Sequence, residues 1–313
     1  MFAFQAFEQK VGRNDVEICL LGPSSQFQIA PGHGFKLFSA VFKGREFIMP
    51  TRDVLAHGAG SGVPILFPFP NRTKDCNYSF GGHDCTIMVG GETVFLHGIV
   101  GGESYEYSYG ADENSAWCKG ILTIDSGKEY FASYPFPCTL TLTYTLSAEG
   151  LRLEYEVKND GAEALPYGFA IHPYFNKFGS PEDVTLTVPV DEIYESEKQM
   201  PTGKLLPVEG MFDLRQPSPL SELAIDHVYH GLNSQKEAVI SYKKLGMNLG
   251  LRASDEFVNM VVFTPSMISG FCLENQTNAT DYLNLYAQGN ENSQIQIVGP
   301  GEKRGGWIQA RIF

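Results

Sequence analysis

Residues 138–158, CTLTLTYTLSAEGLRLEYEVK, decide the fold class of this chain. Every second residue from Leu140 to Leu146 is apolar, and threonine or serine lies between. After the turn at 148–150, AEG, the same alternation resumes from Leu151 to Val157. A period of two residues is that of a β-strand with one buried and one solvated face. The stretch therefore predicts a β-hairpin.

Shorter segments of the same kind recur along the chain, and glycine, proline, asparagine and aspartate interrupt it about every ten residues, as in β-sandwiches. We find no linker, no low-complexity segment and no amphipathic helix of about 12 residues; only Ser218–Leu232 has room for a helical turn or two. The sequence predicts an all-β protein, a large antiparallel β-sandwich formed by a single domain over residues 1–313. The further strands predicted are Val184–Val190, Ala238–Tyr242, Met247–Arg252, Ser293–Val298 and the closing GGWIQARIF.

Charge and cysteine content exclude several classes of protein. The net charge of −13 repels phosphate backbones and anionic lipids, so we expect neither a nucleic-acid nor a membrane partner. The six cysteines show no CxxC spacing, which argues against both a metal cluster and a disulfide scaffold. The amino end lacks the apolar segment of a secretion signal, and no apolar run reaches transmembrane length. We expect a protein of the reducing cytoplasm.

Polar residues in apolar, glycine-rich and proline-rich surroundings mark the candidate site. The first such segment is GVPILFPFPNR (62–72), which ends in Asn71 and Arg72. Its prolines cannot donate hydrogen bonds to a central strand, so we expect a rigid extended segment that crosses the sandwich. The guanidinium of Arg72 is either a surface cap or a fixed, planar donor for hydroxyl groups.

Two histidines lie in further segments of this kind. His97, in FLHG (95–98), is either a core histidine satisfied by the backbone or a ligand contact. His172 lies among aromatic residues and proline in YGFAIHPYFN (167–176). It is a candidate acid with a tuned pKa, or else a structural histidine at the end of a strand.

A carboxylate stands out in SGFCLENQTNATDYLN (269–284). Glu274 directly follows residues 270–273, which have the composition of a buried strand. Because burying an unpaired carboxylate is costly, Glu274 must be partnered, exposed or functional.

These four segments, in this order, resemble the aldose 1-epimerase (galactose mutarotase-like) family, and the resemblance spans residues 60–290. PILFPFPNR is similar to the proline-rich segment of the family that ends in Asn-Arg. LHG and GFAIHPYFN are similar to its two histidine motifs, and ENQTNATDYLN resembles the late segment with the catalytic glutamate. The resemblance implies the galactose mutarotase-like supersandwich fold.

The resemblance also implies a reaction, the exchange of α and β anomers of a free aldose. Glu274 would be the base that takes the proton of the C1 hydroxyl, and His172 the imidazolium that protonates the ring oxygen. The ring then opens, the aldehyde carbon rotates, and the ring closes on its other face. No step needs a metal or an organic cofactor, and the partner is a small sugar bound by a monomer or homodimer.

The family further implies residues that bind the substrate. Arg72, Asn71 and His97 would hold the sugar hydroxyls and the developing charge. Asp226, in AIDHVYHGL, resembles the substrate-binding aspartate of the family, and the competing interpretation is an exposed acid in a loop.

Departures from the family pattern bear on the substrate. In HGIVGGESYEY, Gly101 and Tyr105 stand near the places of an arginine and a tryptophan, and Asn275 replaces a proline. The missing arginine argues against a hexose-6-phosphate 1-epimerase, which would need a cationic clamp for the phosphate. A non-catalytic carbohydrate-binding β-sandwich would not need both Glu274 and His172. A glycoside hydrolase or lyase would want two cooperating carboxylates instead.

Overall fold

The computed structural model describes residues 3–11, 15–49, 62–266 and 268–313, and these residues fold mainly into β-strands. Short 3-10 turns and a short α-helix, α1 (Tyr282–Ala287), connect some of them. The strands are, in chain order, β1 (Gln5–Val11), β2 (Asp15–Leu21), β3 (Ser25–Ala30), β4 (Lys36–Phe42), β5 (Arg45–Glu46), β6 (Ile65–Leu66), β7 (Asn77–Phe80), β8 (His83–Thr86), β9 (Met88–Val89), β10 (Glu92–Thr93), β11 (Glu106–Ala111), β12 (Ser115–Ile124), β13 (Cys138–Ser147), β14 (Gly150–Asn159), β15 (Leu165–Tyr167), β16 (Ala170–Ile171), β17 (Tyr174–Phe175), β18 (Val184–Thr187), β19 (Glu192–Glu197), β20 (Met200–Pro207), β21 (Ser218–Pro219), β22 (Asp226–His230), β23 (Ala238–Tyr242), β24 (Met247–Ala253), β25 (Asn259–Phe263), β26 (Phe271–Gln276), β27 (Gln296–Val298) and β28 (Lys303–Ile312).

The predicted hairpin is formed by β13 and β14. Leu146 lies opposite Leu151 and Ser147 opposite Gly150, so the turn consists of Ala148 and Glu149 alone. The apolar side chains of both strands are buried, and the threonines between those of β13 are half-buried. The alternation read from the sequence is therefore the alternation between core and solvent.

The strands form two large antiparallel sheets and a third sheet near the amino end. One large sheet has the order β11-β12-β13-β14-β28-β24-β23-β18-β21. The other has the order β20-β19-β22-β25-β26-β16-β6, with β17 also paired to β26, and β1 to β5 form the third. Apolar residues of all three sheets contribute to one core. The predicted all-β sandwich is confirmed, while the single domain over residues 1–313 stays a prediction.

Two segments differ from the sequence prediction, and a third contains the helical turn that the sequence allows. Strand β18 ends at Thr187 and does not reach Val190, because the Val188 amide donates to Leu214 instead of continuing the ladder. In Ser293–Val298 only β27 is extended, since Gln294 has a φ of 53°. In Ser218–Leu232 a 3-10 turn at Leu220–Glu222 is followed by strand β22.

The proline-rich segment forms no central strand, as predicted, and its strand β6 lies at the edge of a sheet. Strand β6 ends the order of its sheet, next to β16, and the Pro64 carbonyl accepts from the His172 amide. Further along, the Phe67 carbonyl accepts from Ile99, and a Cβ on Gly98 would come within 2.3 Å of that oxygen. Glycine at 98 thus permits the close approach that brings the segment against the His97 motif.

Two further observations concern the described residues as a whole. None of the helices among them has the length and hydrophobicity that a membrane crossing requires. The six cysteines all lie within the described ranges and form no disulfide bond there.

Candidate active site

Strand register brings His172 and Glu274 together. Ala170 of β16 lies opposite Gln276, and Tyr174 of β17 lies opposite Cys272, so both strands share one register with β26. His172, midway between them, consequently faces Glu274, and its Nε2 lies 3.2 Å from Oε1 of the carboxylate. Glu274 is inside β26 and not just past it, contrary to the sequence prediction.

The same face of the sheet carries Asp226. Cys272 is opposite Phe263 in β25, and Phe263 is opposite Asp226 at the start of β22. Residues directly opposite each other on antiparallel strands point to the same face. Asp226 therefore shares a face with Glu274, and it is a half-buried strand residue instead of an exposed acid in a loop.

Arg72 reaches this face from the proline-rich segment. Its Nη2 lies 3.6 Å from Asp226 Oδ2, and its Nη1 donates to Asn71 Oδ1 at 3.0 Å. The backbone holds the residue in place, because the Arg72 carbonyl accepts from the Asp281 amide at 2.9 Å. A guanidinium held by these contacts, with 21% of the side chain exposed, is a positioned donor and not a loose surface cap.

His97 completes the group. Its amide donates to the Asn71 carbonyl at 2.8 Å, and its ring lies perpendicular to that of His172 with the centroids 5.0 Å apart. Within the described residues, Nδ1 of each histidine is buried without a hydrogen-bond partner. Buried polar atoms are normally satisfied, so two unpaired nitrogens this close together mark the site as unusual.

Two residues at the site were not predicted from the sequence. The ring of Tyr174 stacks on that of His172, with 4.6 Å between centroids, and Gln199 donates from Nε2 to Asp226 Oδ2 at 2.7 Å. Tyr174 was detectable, since the second residue after His172 on an extended chain points to the same side. Gln199 lies in a polar hairpin turn and carries no such signal.

Burial decides the protonation of the site. It lowers the pKa of His172 to about 3, helped by neighbouring His97, and it lowers the pKa of His97 to about 4, helped by Arg72. Burial raises the pKa of Glu274 well above its ordinary value; Asp226 adds to this shift and Arg72 opposes it. These shifts favour neutral imidazoles and a carboxyl that keeps the titratable proton of the pair.

A possible metal-ligand set overlaps with the pair. His172, Cys272 and Glu274 each offer a ligand atom, and these atoms lie within 4.8 Å of one another. A thiolate, an imidazole and a carboxylate are ligands that zinc accepts. The sequence spacing did not predict this set because the strand register creates it.

A carboxyl and an imidazole that share one buried proton can give and take protons at two atoms of one small ligand. The segments that supply these groups lie in a region that matches a known family. A sequence profile of aldose 1-epimerases matches residues 29–311. The chain belongs to the aldose 1-epimerase family. The match spans every candidate residue named above.

Individual proteins are similar to this chain to different extents. A galactose mutarotase-like protein from Clostridium acetobutylicum has the same fold, with a TM-score of 0.87 and 18% identity over 98% of both chains. The Escherichia coli K12 protein YphB is 27% identical over 85% of this chain and 91% of its own length. Human galactose mutarotase is 33% identical over 52% of this chain and 48% of its own.

Proposed function

We propose that this member of the aldose 1-epimerase family is a mutarotase, an isomerase that interconverts the α and β anomers of a free aldose. The observation that carries the proposal is the 3.2 Å contact between Nε2 of His172 and Oε1 of Glu274 on a buried face. Mutarotation requires one base and one acid within reach of the same sugar. The partial match to human galactose mutarotase supports the proposal.

In the proposed reaction the shared proton first moves from Glu274 to His172. The Glu274 carboxylate then takes the proton of the C1 hydroxyl while the His172 imidazolium protonates the ring oxygen, and the bond between C1 and that oxygen breaks. Glu274 is now protonated and His172 neutral, which is the pair of forms that burial favours. Burial therefore stabilises the ring-opened state relative to the charged pair.

Ring closure reverses these transfers on the other face of the aldehyde. His172 takes the proton of the ring hydroxyl, the oxygen attacks C1, and Glu274 returns its proton to the carbonyl oxygen. No net proton is consumed. Arg72, Asn71 and His97 would hold the sugar while the aldehyde carbon rotates, and Asp226 would accept from a distal hydroxyl.

The proposed substrate is an unphosphorylated aldose. The net charge of −13 disfavours anionic ligands, and Gly101, where the family often has arginine, is exposed and offers no cation. We further propose that the enzyme works in the cytoplasm, as a monomer or homodimer, without a cofactor.

The direct test is polarimetry or NMR on freshly dissolved α anomers of several aldoses and of their 6-phosphates. We expect faster anomeric exchange of at least one free aldose. Unchanged exchange for every sugar contradicts the proposal. A kcat/KM at least about tenfold higher for the phosphorylated sugar, or about 1.4 kcal/mol of transition-state preference, identifies a hexose-6-phosphate 1-epimerase instead.

A further inference from the structure

The hairpin of β19 and β20 places a polar side chain at the site. Glu197 lies opposite Met200, so Lys198 and Gln199 form a two-residue turn, with φ angles of 51° and 66°. Such turns favour asparagine and glycine, because other residues adopt positive φ at an energetic cost. The register of the hairpin also shifts between Tyr194 and Ser196, an irregularity of the kind that bends and twists a strand.

The side chain of Gln199 uses this position to reach Asp226. Its Nε2 donates to Asp226 Oδ2 at 2.7 Å, the same oxygen that lies 3.6 Å from Nη2 of Arg72. A carboxylate can only accept, so the amide must turn its NH2 group towards Asp226 and its Oε1 away from it. Across the described ranges, neither Gln199 Oε1 nor Asp226 Oδ1 has a hydrogen-bond partner. Each of the two side chains thus keeps one oxygen that can accept a hydrogen bond.

This pair of side chains lies where two depressions meet. One is a small pocket beside Arg72 that also includes Asn71 and Thr280. The other is a cleft of about 580 Å³ lined in part by Phe263. Gln199 and Asp226 border both. The cleft and the pocket with the guanidinium therefore meet at these two side chains.

We propose that Gln199 is a specificity-determining residue that forms, with Asp226, a receptor for two neighbouring hydroxyl groups of the sugar. The inference rests on the proposed function and names the part of the substrate that the site selects. Each free acceptor takes one hydroxyl proton. A sugar that lacks one of these hydroxyls loses a hydrogen bond to the receptor and should bind more weakly.

The test variant is Gln199→Asn. Asparagine adopts the left-handed backbone of the turn readily, so the hairpin is kept, but the side chain is one methylene too short to hold Asp226. The matched control is Lys198→Asn. It makes the same change at the other turn position, where Lys198 contacts no site residue among those described.

Two measurements separate binding from turnover. The first is KM and kcat for the best aldose. The second is the calorimetric Kd of a 1,5-anhydrohexitol, which lacks the anomeric hydroxyl and cannot mutarotate. We expect Gln199→Asn to raise KM and Kd by up to about tenfold, as for one lost hydrogen bond between a hydroxyl and a neutral amide, with kcat unchanged. Lys198→Asn should match the unsubstituted protein in all three quantities.

A series of monodeoxy sugars then locates the contact. For a sugar that lacks a contacted hydroxyl, the unsubstituted protein and Gln199→Asn should show the same KM, because the interaction is absent from both. An equal rise of KM across the whole series overturns the inference. So does the same KM and Kd in both proteins for the parent sugar, an outcome that leaves the proposed mutarotation intact. Hexitol binding that depends on Gln199, without turnover of any aldose, supports the receptor and contradicts the mutarotase.

Discussion

Nε2 of His172 lies 3.2 Å from Oε1 of Glu274, and the common register of β16 and β17 on β26 holds the two side chains there. Only 7% and 4% of these side chains are exposed, so little water competes for the shared proton. Hydrogen bonds in such surroundings are stronger than at the surface, so the loss of either group should cost much of the catalytic rate. The sharpest expectations therefore concern this pair.

Substitution of either residue should abolish most of the activity. Glu274→Gln keeps the shape but cannot accept the C1 proton, and His172→Asn removes the acid, so each should lower kcat by about 10²–10⁴-fold. The double variant should lose much less than the product, because the two groups act as a unit. Steady-state polarimetry measures this, with the exposed Glu113→Gln and His33→Asn as controls. A folded Glu274→Gln protein with the original rate would show that the carboxylate is structural.

The pH dependence of kcat/KM should reflect a pair with one proton. Below the pKa of His172, at about 3, the pair gains a second proton and has no base. Above the raised pKa of Glu274, the pair loses the titratable proton of the carboxyl and has no acid. The profile should therefore be a broad bell without an inflection near 6.5, the ordinary pKa of histidine. An acid limb centred at that value would mean that the rate follows an unburied imidazole.

Removal of the buried carboxyl should stabilise the fold at neutral pH. Above pH 4.5, Glu274 ionises in the unfolded chain, whereas its raised pKa keeps it protonated to a higher pH in the folded protein, so folding in this range requires proton uptake that becomes costlier as the pH rises. Glu274→Gln has no such cost. Its advantage in the free energy of unfolding should be near zero in acid and should grow by up to about 1.4 kcal/mol per pH unit. Urea titrations of both proteins across pH measure it. Parallel curves would contradict the raised pKa.

Chelators should leave mutarotation unchanged, because the proposed steps are proton transfers and the opening and closing of the sugar ring, none of which uses a metal. Added zinc should inhibit, since the ligand atoms of His172, Cys272 and Glu274 lie within 4.8 Å of one another and zinc would capture both catalytic groups. Cys272→Ala should weaken this inhibition while keeping the metal-free rate. Activity lost to EDTA and restored by one divalent ion would instead reveal a resident metal.

How much the sequence predicts depends on how locally each feature is encoded. In β13 one face is buried and the other solvated, so the alternation is visible residue by residue. In β26 all six residues are buried, which erases the alternation, and Glu274 was consequently placed after the strand. Gln294 has a φ of 53° and interrupts the stretch before β27. The alternation of apolar and polar residues in the sequence does not reveal this interruption either.

The candidate site was predictable as a list of residues but not as an arrangement. Its motifs lie far apart in the chain, and only the pairing of β26 with its neighbours sets their distances. Burial determines which of the two groups holds the proton more strongly, and the sequence does not reveal that burial. Gln199 was missed because a polar residue in a hairpin turn looks like ordinary solvent-exposed chain.

Strand pairing positions the acid and the base, whereas the tip of a hairpin positions Gln199. This separation favours evolutionary change. The acid and the base are fixed by backbone ladders, which tolerate few substitutions. Gln199, by contrast, lies on an exposed two-residue turn, where residues that tolerate a positive φ can replace it without disturbing the core. A library randomised at Lys198 and Gln199 should therefore yield enzymes with new sugar preferences at undiminished kcat, and natural divergence has the same route open to it.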